Sequence, residues 1–484
     1  MSFWVKRPSM KALILISAVI AFLAGCSTVK NAREKQAEAK NLSSDNGGRA
    51  EKVNVDLSGC AVRALVEFAL TNRPVMVSSR LEVENARLAL KRIKSSAPLA
   101  SDSPWTSPTL GFSASQDARN SDQDFSDAFR TEKGDFSSAL SLDILLWDFG
   151  RYSASAAAAK ERIISAEMEL VKAGHEVFRE VVDAYFATLE ADALYEVALT
   201  NEAECALHLD RAIRRVEEGE AKELDVLKAR LDLSIARESV CAASNNVATA
   251  AAGLIRSLGL EAAMTSRDKI LPRKSSALYE MNRVFAETDA SAETLFMYAR
   301  TNAPAMRVSR AELRAAISAV DAEIANLYPE ISASASLSWV DPVWTFRWGA
   351  SFVQSLFQGM RKTTAVDEAV VAMRKAEANT IAAEHALALE ISLQCAARDN
   401  AREANKRARQ SLKEAKENLA LSRSRYEIGE ADRVDFSEAV SAYSDALGAC
   451  VSAYYASQRA EAAFFPLTGN YPVYDEGSVP TEGN

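Results

Sequence analysis

Proline and glycine, the residues that most often interrupt helices, are scarce in this sequence, with 12 prolines and 18 glycines among 484 residues. Alanine, leucine, glutamate, lysine and arginine are abundant, and 48% of all residues are hydrophobic. This composition argues against a loop-rich or low-complexity chain. It favours long helices and coiled coils.

Residues that carry catalytic chemistry are also sparse. Three histidines occur, at positions 175, 208 and 385, and they form no metal-ligand or catalytic-triad spacing. The sequence has no glycine-rich phosphate loop and no G-x-S-x-G motif. The net charge of −9 gives no reason to expect nucleic-acid binding. We therefore predict that the chain is not an enzyme and holds no metal ion and no cofactor.

The first residues lack an apolar run long enough for a membrane-spanning helix, which needs about 20 residues. A basic head precedes the shorter run ALILISAVIAF, and the sequence LAGC follows, ending at Cys26. This order resembles a bacterial lipoprotein signal peptide. It predicts that residues 1–25 are cleaved and that Cys26 carries the lipid, including palmitate. An uncleaved anchor, or cleavage elsewhere, is the alternative.

Residues 26–56 are polar and have little to bury, so they predict a lipid-anchored tether. The sequence beyond Cys26 contains five cysteines and no C-x-x-C pair: Cys60, Cys205, Cys241, Cys395 and Cys450. An odd number of thiols cannot all pair within one chain. We expect most of them to pack between helices as thiols, and a single disulfide is the alternative.

The chain contains an internal repeat. The segment TNRP at 71–74 recurs as TNAP at 301–304, and LLWDFGR corresponds to SLFQGMR. Further along, EEGEAKELDVLKA around Gly219 corresponds to YEIGEADRVDFSEA around Gly429. The spacing agrees as well, because Gly150 and Gly219 are 69 residues apart and Gly359 and Gly429 are 70 apart. Two halves therefore share one arrangement of elements.

Each half contains a long arm without proline. As one α-helix, 69 residues would rise roughly 100 Å, and such a helix must pack against other helices along its length. A bundle of shorter helices is the alternative, but Gly174 is the only glycine between 151 and 218. Gly219 and Gly429 stand where each arm must reverse, as is common for glycine at a helix end.

Four short segments instead alternate apolar and polar residues, at about 108–116, 135–145, 331–340 and 343–353. In the third, EISASASLSW, four serines share one face while Ile331, Leu337 and Trp339 share the other. Alternating strands of this length fit a transmembrane β-barrel with serines towards water and apolar residues towards lipid. Four strands cannot close such a barrel, so several chains would share it. A soluble sheet covered by helices is the alternative.

These features together resemble the TolC-like outer-membrane efflux channels, or outer-membrane factors, in their lipoprotein branch. The resemblance covers roughly residues 57–470 and is most specific at LLWDFGR, EEGEAKELDVLKA and YEIGEADRVDF. It implies a mainly α fold with a small transmembrane β part. Four strands per chain would contribute to a trimeric twelve-stranded barrel, continued by a long coiled-coil α-helical barrel in the periplasm.

The resemblance also implies the domain limits. The first repeat would span 57–270 and the second 284–470, with a flexible tail at 471–484. The long helices would run over about 151–218 and 360–428, and the returning helices over about 221–258 and 431–465. Gly150 and Gly359 would form the strand-to-helix turns, and Gly219 and Gly429 the reversals at which an adaptor docks.

Four residues match gate positions of the family. Asp225 and Tyr426 match residues that bond between helices and hold the periplasmic aperture shut. Asp435 and Glu438 match an acidic pair that narrows the pore, although Glu438 stands where the family example has Asp. Ala431 stands where a gate-locking arginine is often found. The alternative for all four is charge at helix starts plus one packing tyrosine.

The implied function is that of an outer-membrane channel in a tripartite efflux or type I secretion system. The homotrimer would be a passive conduit in the bacterial outer membrane, lipid-anchored at its amino terminus and extending into the periplasm. Its partners would be a periplasmic adaptor, an inner-membrane transporter and outer-membrane lipid. A lipid-anchored periplasmic adaptor, or a structural envelope lipoprotein without a pore, is the alternative.

Overall fold

The computed structural model describes residues 30, 32–36, 62–98, 109–116, 136–219, 222–260, 291–340, 343–354, 357–427, 433–464 and 466. Within them, one order of elements occurs twice: two helices, two strands, a long helix and a returning helix. The first set is α1 (Val62–Asn72), α2 (Pro74–Lys94), β1 (Thr109–Gln116), β2 (Phe136–Trp147), α3 (Arg151–Glu217) and α4 (Glu223–Ser257). The second is α5 (Ala292–Asn302), α6 (Pro304–Ala325), β3 (Glu330–Val340), β4 (Val343–Val353), α7 (Arg361–Glu427) and α8 (Arg433–Ala462). The prediction of a mainly α chain with a small β part is confirmed.

The two long helices each contain 67 residues. Neither α3 nor α7 contains a proline, and α3 continues through Gly174, whose cost of about 1 kcal/mol relative to alanine a packed helix tolerates. None of the described helices is both long enough and apolar enough to cross a membrane.

The turns from strand to long helix have the same backbone form in both halves. Phe149 and Gly150 have φ angles of 53° and 94°, and Gly359 and Met360 have φ angles of 61° and 63°. Two consecutive left-handed residues therefore redirect the chain at each turn. After the first turn, the Asp148 carboxylate accepts hydrogen bonds from the backbone N–H of Gly150 (3.3 Å) and of Tyr152 (2.6 Å) and so caps α3.

The four strands form one antiparallel sheet in the order β1-β2-β3-β4, so that the central pair joins the two repeats. The register aligns an apolar row across all four strands: Phe112, Leu140, Leu337 and Phe346. These side chains stay 38–65% exposed. The neighbouring row on the opposite face holds Gly111, Ser141, Ser336 and Arg347. The sheet thus has one apolar face, which the described part of the chain leaves exposed, and one polar face.

A β-bulge changes the direction of one large side chain at the end of the sheet. Leu145 pairs with Ser332, whereas Trp147 pairs with Ile331, so one residue of β2 is extra at this point. Simple alternation would place Trp147 on the polar face with Leu145. The bulge instead puts Trp147 on the apolar face with Ile331 and Phe352.

Two of the three hydrophobic cores within the described helices match each other in composition. One core contains Leu65, Ala69, Met76, Val177, Val181 and Leu254, and the other contains Leu295, Ala299, Met306, Leu387, Ile391 and Phe464. Taken in order, each of the first three residues of one core lies 230 positions before its counterpart in the other, as Leu65 does before Leu295. Each of the last three lies 210 positions before its counterpart, as Val177 does before Leu387. Equivalent positions of the two repeats therefore perform the same packing.

The chain divides into two compact units, and both repeats contribute to each of them. One unit includes Leu90–Ala157 and Ser318–Ala369, which contain the sheet and the helix ends beside it. The other includes Asn54–Ala89, Ala158–Ile317 and Val370–Asn484, which contain both cores and both returning helices.

Candidate functional site

Gly219 lies in the turn that reverses the chain between α3 and α4. Its φ angle is 77°, a conformation that residues with a Cβ atom rarely adopt. Its N–H donates to the carbonyl of Val216 (3.0 Å). No atom lies within 4 Å of where a Cβ would be, so the turn needs glycine for its backbone and not for space. Gly429, predicted to make the second reversal, lies outside the described residues.

The structure places Asp225 at the start of α4, as part of a reciprocal cap. Its N–H donates to the carbonyl of Lys222 (2.9 Å), and the N–H of Lys222 donates to its carboxylate (3.3 Å). Such caps stabilise a helix start by about 1 kcal/mol. Asp225 therefore stabilises the start of α4 within one chain, independently of any role at an aperture.

Tyr426 lies near the end of α7 in a stack of three rings, with only 7% of its surface exposed. Its ring lies 5.1 Å from that of Phe436 on α8, and Phe436 lies 5.5 Å from His208 on α3. The Arg215 guanidinium is 4.9 Å from the centroid of the Tyr426 ring, a cation–π distance. We call His208, Tyr426 and Phe436 the aromatic stack. It joins three helices: α3, α7 and α8.

The sequence interpretation selected Tyr426 but missed its partners in the stack. Phe436 follows Asp435 directly, and its apolar character at the start of a helix was an available signal. His208 is 218 residues away from Tyr426 in the sequence, and nothing local points to their contact. Stacked rings of this kind contribute about 0.5–1.5 kcal/mol per pair beyond their burial.

The two predicted constriction residues lie in the first turns of α8. Phe436 and Ala439 point inward, with 4% and 3% of their surface exposed, while Asp435 and Glu438 are exposed. The spacing of three places both carboxylates near each other on the solvent side of one helix. Phe436, in the aromatic stack, fixes the rotation of α8 that puts them there.

Polar contacts hold α8 against both long helices. Glu461, only 3% exposed, accepts a hydrogen bond from Arg402 Nε on α7 (2.6 Å). Arg459 bonds to Glu190 on α3. Burial raises the pKa of the nearby Asp183 carboxyl, an effect opposed by Arg179 and Arg459. Separating such a pair would leave a charged side chain without its partner in a poorly hydrated site, which costs free energy. These contacts therefore restrict how α8 can move relative to α3 and α7.

The predicted turn residue Gly150 lies at the first strand-to-helix junction. Arg151, the first residue of α3, donates to the Glu330 carboxylate at the start of β3 (3.1 Å). Phe149, beside Gly150, stacks on Tyr328 (5.8 Å between centroids) and meets Trp147 edge-on (6.3 Å). An aromatic cluster therefore surrounds this end of the sheet.

The remaining predictions concern the cysteines and the expected absence of a metal site. Cys26 and Cys60 lie outside the described residues, and Cys205, Cys241, Cys395 and Cys450 are free thiols. No group of three or more His, Cys, Asp or Glu side chains within the described residues could hold a metal ion.

The sequence profile of the outer membrane efflux protein family matches residues 65–260 and 295–470. No curated protein sequence is significantly similar to the chain.

Several solved structures share the fold. A structure of CusC, reported with conformational changes that accompany folding and transmembrane channel formation, is 17% identical with a TM-score of 0.71, covering 85% of this chain and 92% of CusC. The CmeC outer membrane channel of Campylobacter jejuni is 19% identical with a TM-score of 0.70, covering 84% and 85%. The open state of the MtrE outer membrane channel of Neisseria gonorrhoeae is 18% identical with a TM-score of 0.70, covering 86% and 92%.

Proposed function

The chain belongs to the outer membrane efflux protein family, and on that premise we propose that it is the passive outer-membrane conduit of a tripartite efflux or type I secretion system. Membership confirms the resemblance to TolC-like channels that LLWDFGR and YEIGEADRVDF indicated. An outer-membrane efflux channel is the coarse function of the family. The conduit role, the partners and the gate are the proposal.

The observation that carries the proposal is the two-faced sheet. One face presents the apolar row through Leu140 and Leu337, which is costly in water and favourable in lipid. The other face presents hydroxyl groups and Arg347. A sheet of this kind suits a wall between acyl chains and an aqueous pore.

A homotrimer completes the wall. β1 and β4 are the edges of the sheet within the described chain, and unpaired strand edges are not tolerated in hydrocarbon. Pairing of β1 with β4 of a neighbouring copy, repeated by three-fold symmetry, gives twelve strands without an edge. The long helices α3 and α7 continue from the strand ends and would supply six helices of one tunnel wall.

The gate lies at the other end of those helices. Tyr426 and Asp225 would hold neighbouring helices together at the aperture, and Asp435 and Glu438 would place six carboxylates around it. Such a ring favours cations over anions. The reversals at Gly219 and Gly429 would receive the periplasmic adaptor that links the channel to an inner-membrane transporter. Lipid on Cys26 would hold the amino terminus at the outer membrane.

The first test is single-channel conductance of the purified protein in planar bilayers, with its mass in detergent measured in parallel. We expect a trimer that opens small, cation-preferring pores. A monomer without conductance would contradict the proposal and favour an adaptor or a structural lipoprotein. A trimer without conductance would be measured again with substitutions at Asp225 and Tyr426. If these variants also show no conductance, the channel proposal is contradicted.

A further inference from the structure

A cavity beside the aromatic stack has no part in the conduit described above. It has a volume of about 410 Å³ and lies between α3, α4 and α8. Pockets that bind small organic molecules usually measure about 300–1,000 Å³. The cavity is therefore large enough for a ligand of moderate size.

The charged groups that line this cavity are all acidic. Glu204 comes from α3, Asp232 from α4 and Asp445 from α8. No lysine or arginine lines it among the residues that the structure describes. Hydroxyl groups of four serines add hydrogen-bond partners: Ser239, Ser437, Ser441 and Ser444. The formal charge of the lining is thus −3 with His208 neutral.

A thiol in the wall responds to this charge. Cys205 lines the cavity, and burial raises its pKa, with Asp232 and Glu204 raising it further by repulsion of the thiolate. Asp232 and Glu204 therefore lie close enough to Cys205 to act on a charge at this wall of the cavity. A cation would experience the opposite effect.

The rest of the lining is apolar or aromatic. Leu194, Val197, Ile235 and Val440 provide aliphatic surface, and Phe436 and His208 of the aromatic stack border the same space. Such a wall excludes a small hydrated ion as the preferred occupant, because a hydrated ion gains nothing from aliphatic contacts. It suits a molecule with both a positive charge and an apolar body, since the carboxylates attract the charge and the aliphatic side chains pack against the body.

We propose that this cavity binds an amphiphilic organic cation, such as an aromatic amine or quaternary ammonium compound. The carboxylates of Asp232 and Asp445 hold the charge, and the aliphatic wall holds the body. The binding of such a cation is inferred from the acidic and aliphatic residues that line the cavity. A role for this binding in efflux rests on the proposed conduit function.

Ethidium is a suitable probe, because it is cationic and aromatic and its fluorescence reports transfer out of water. Titrated against the full-length protein in detergent, ethidium should bind saturably, and fluorescein, an anionic aromatic dye, should not. Asp232→Asn and Asp445→Asn should each weaken ethidium binding roughly five- to tenfold. Glu238→Gln, which removes an equal charge from α4 outside the cavity, should leave it unchanged. Equal weakening by all three variants would overturn the proposal.

A second measurement uses the thiols of the chain and does not depend on any substitution. Cys205 lines the cavity, whereas Cys241 on α4 is exposed and does not. Bound ethidium should slow alkylation of Cys205 by N-ethylmaleimide several-fold and leave Cys241 unaffected, as followed by peptide mass spectrometry. Equal rates at Cys205 with and without ethidium would place any binding elsewhere and overturn the site.

These tests distinguish the proposed ligand site from the proposed channel function. A protein that conducts in bilayers but shows no protection of Cys205 keeps the channel function and loses the site. A protein that protects Cys205 but never conducts keeps the site and loses the conduit. Ser441→Phe, which fills the space while keeping every charge, should abolish ethidium binding; retained binding would contradict the cavity even in a conducting channel.

Discussion

At the scale of single residues, the ring of Tyr426 contacts three neighbours: Phe436, His208 and Arg215. The ring stacks on Phe436 and lies beneath the Arg215 guanidinium. The hydroxyl group is the part that the family resemblance links to bonding between helices. These two contributions can be separated by substitution.

We expect Tyr426→Ala to raise conductance more than Tyr426→Phe. The alanine variant loses both ring and hydroxyl, and burial of an aromatic ring is worth about 3–5 kcal/mol. The phenylalanine variant keeps the stack. Single-channel recording of both variants decides the point, and equal conductance of wild type and Tyr426→Ala would remove Tyr426 from the gate.

Asp225 needs a control of its own because it caps α4. Asp225→Ala removes both charge and cap, whereas Asp225→Asn keeps an acceptor for the Lys222 N–H. Combined with Tyr426→Phe, both substitutions should raise conductance and the entry of bulky antibiotics if the negative charge closes the aperture. If only the alanine combination does so, loss of the helix cap is the cause.

His175 gives a prediction about pH. Its Nδ1 lies 3.0 Å from the Pro466 carbonyl, and burial lowers its pKa from 6.5, against a smaller opposing effect of that hydrogen bond. The unfolded chain therefore takes up the proton first. The stability contributed by neutral His175 is complete above about pH 6.5 and declines as the pH falls below it.

The measurement is the thermal midpoint at about pH 7.5 and about pH 5.5. The wild type should lose more stability on acidification than His175→Gln, which cannot titrate but can still donate to the carbonyl. His385→Gln changes the exposed histidine at the equivalent position of the other repeat and should behave as wild type. Parallel pH dependence of wild type and His175→Gln would show that burial of His175 does not influence stability.

At the scale of elements, long helices and alternating strands were readable from the sequence because their periods are simple. The absence of proline marked α3 and α7, and alternation of serine with apolar residues marked β3. The bulge at the end of β2 could not be predicted from the sequence. Leu145 and Trp147 are two residues apart, so simple alternation places both side chains on the same face of the strand. Only pairing with β3 shows that an extra residue moves Trp147 to the other face.

The reversal at Gly219 provides a test at this scale. Gly219→Ala should destabilise the turn by about 1 kcal/mol, because its φ angle is positive while space for a Cβ is open. Hydrogen exchange near the turn should then accelerate about fivefold. Gly219→Asn should have a smaller effect, since asparagine accepts this conformation more readily. Unchanged exchange in the alanine variant would indicate that the turn relaxes.

At the scale of the whole molecule, the contacts between the repeats were the least predictable. The aromatic stack brings together His208, Tyr426 and Phe436 from three helices, and no local pattern records which helix faces which. Likewise, the cavity that Asp232 and Asp445 share depends on the packing of α4 and α8 and not on spacing in the sequence. The repeat itself was visible because it is a property of the sequence.

Ion selectivity is a property of the assembled channel. Asp435→Ala together with Glu438→Ala should weaken cation preference and block by polyvalent cations, because three copies lose six carboxylates from one ring. Reversal potentials in a salt gradient measure this. Asp367→Asn with Glu368→Gln removes as many exposed charges near the start of α7 and should change selectivity less. Larger changes in that control would move the constriction there.

The two repeats agree in these cores and differ at their reversals. Val177 and Leu387 do equivalent work in their repeats, yet Val216 and Val226 occupy the positions that correspond to Tyr426 and Phe436. Both repeats therefore keep the same core packing, while only the second carries aromatic rings beside its reversal. A substitution in one of these cores thus has a counterpart with the same role in the other repeat, whereas a substitution at Tyr426 or Phe436 has no aromatic counterpart.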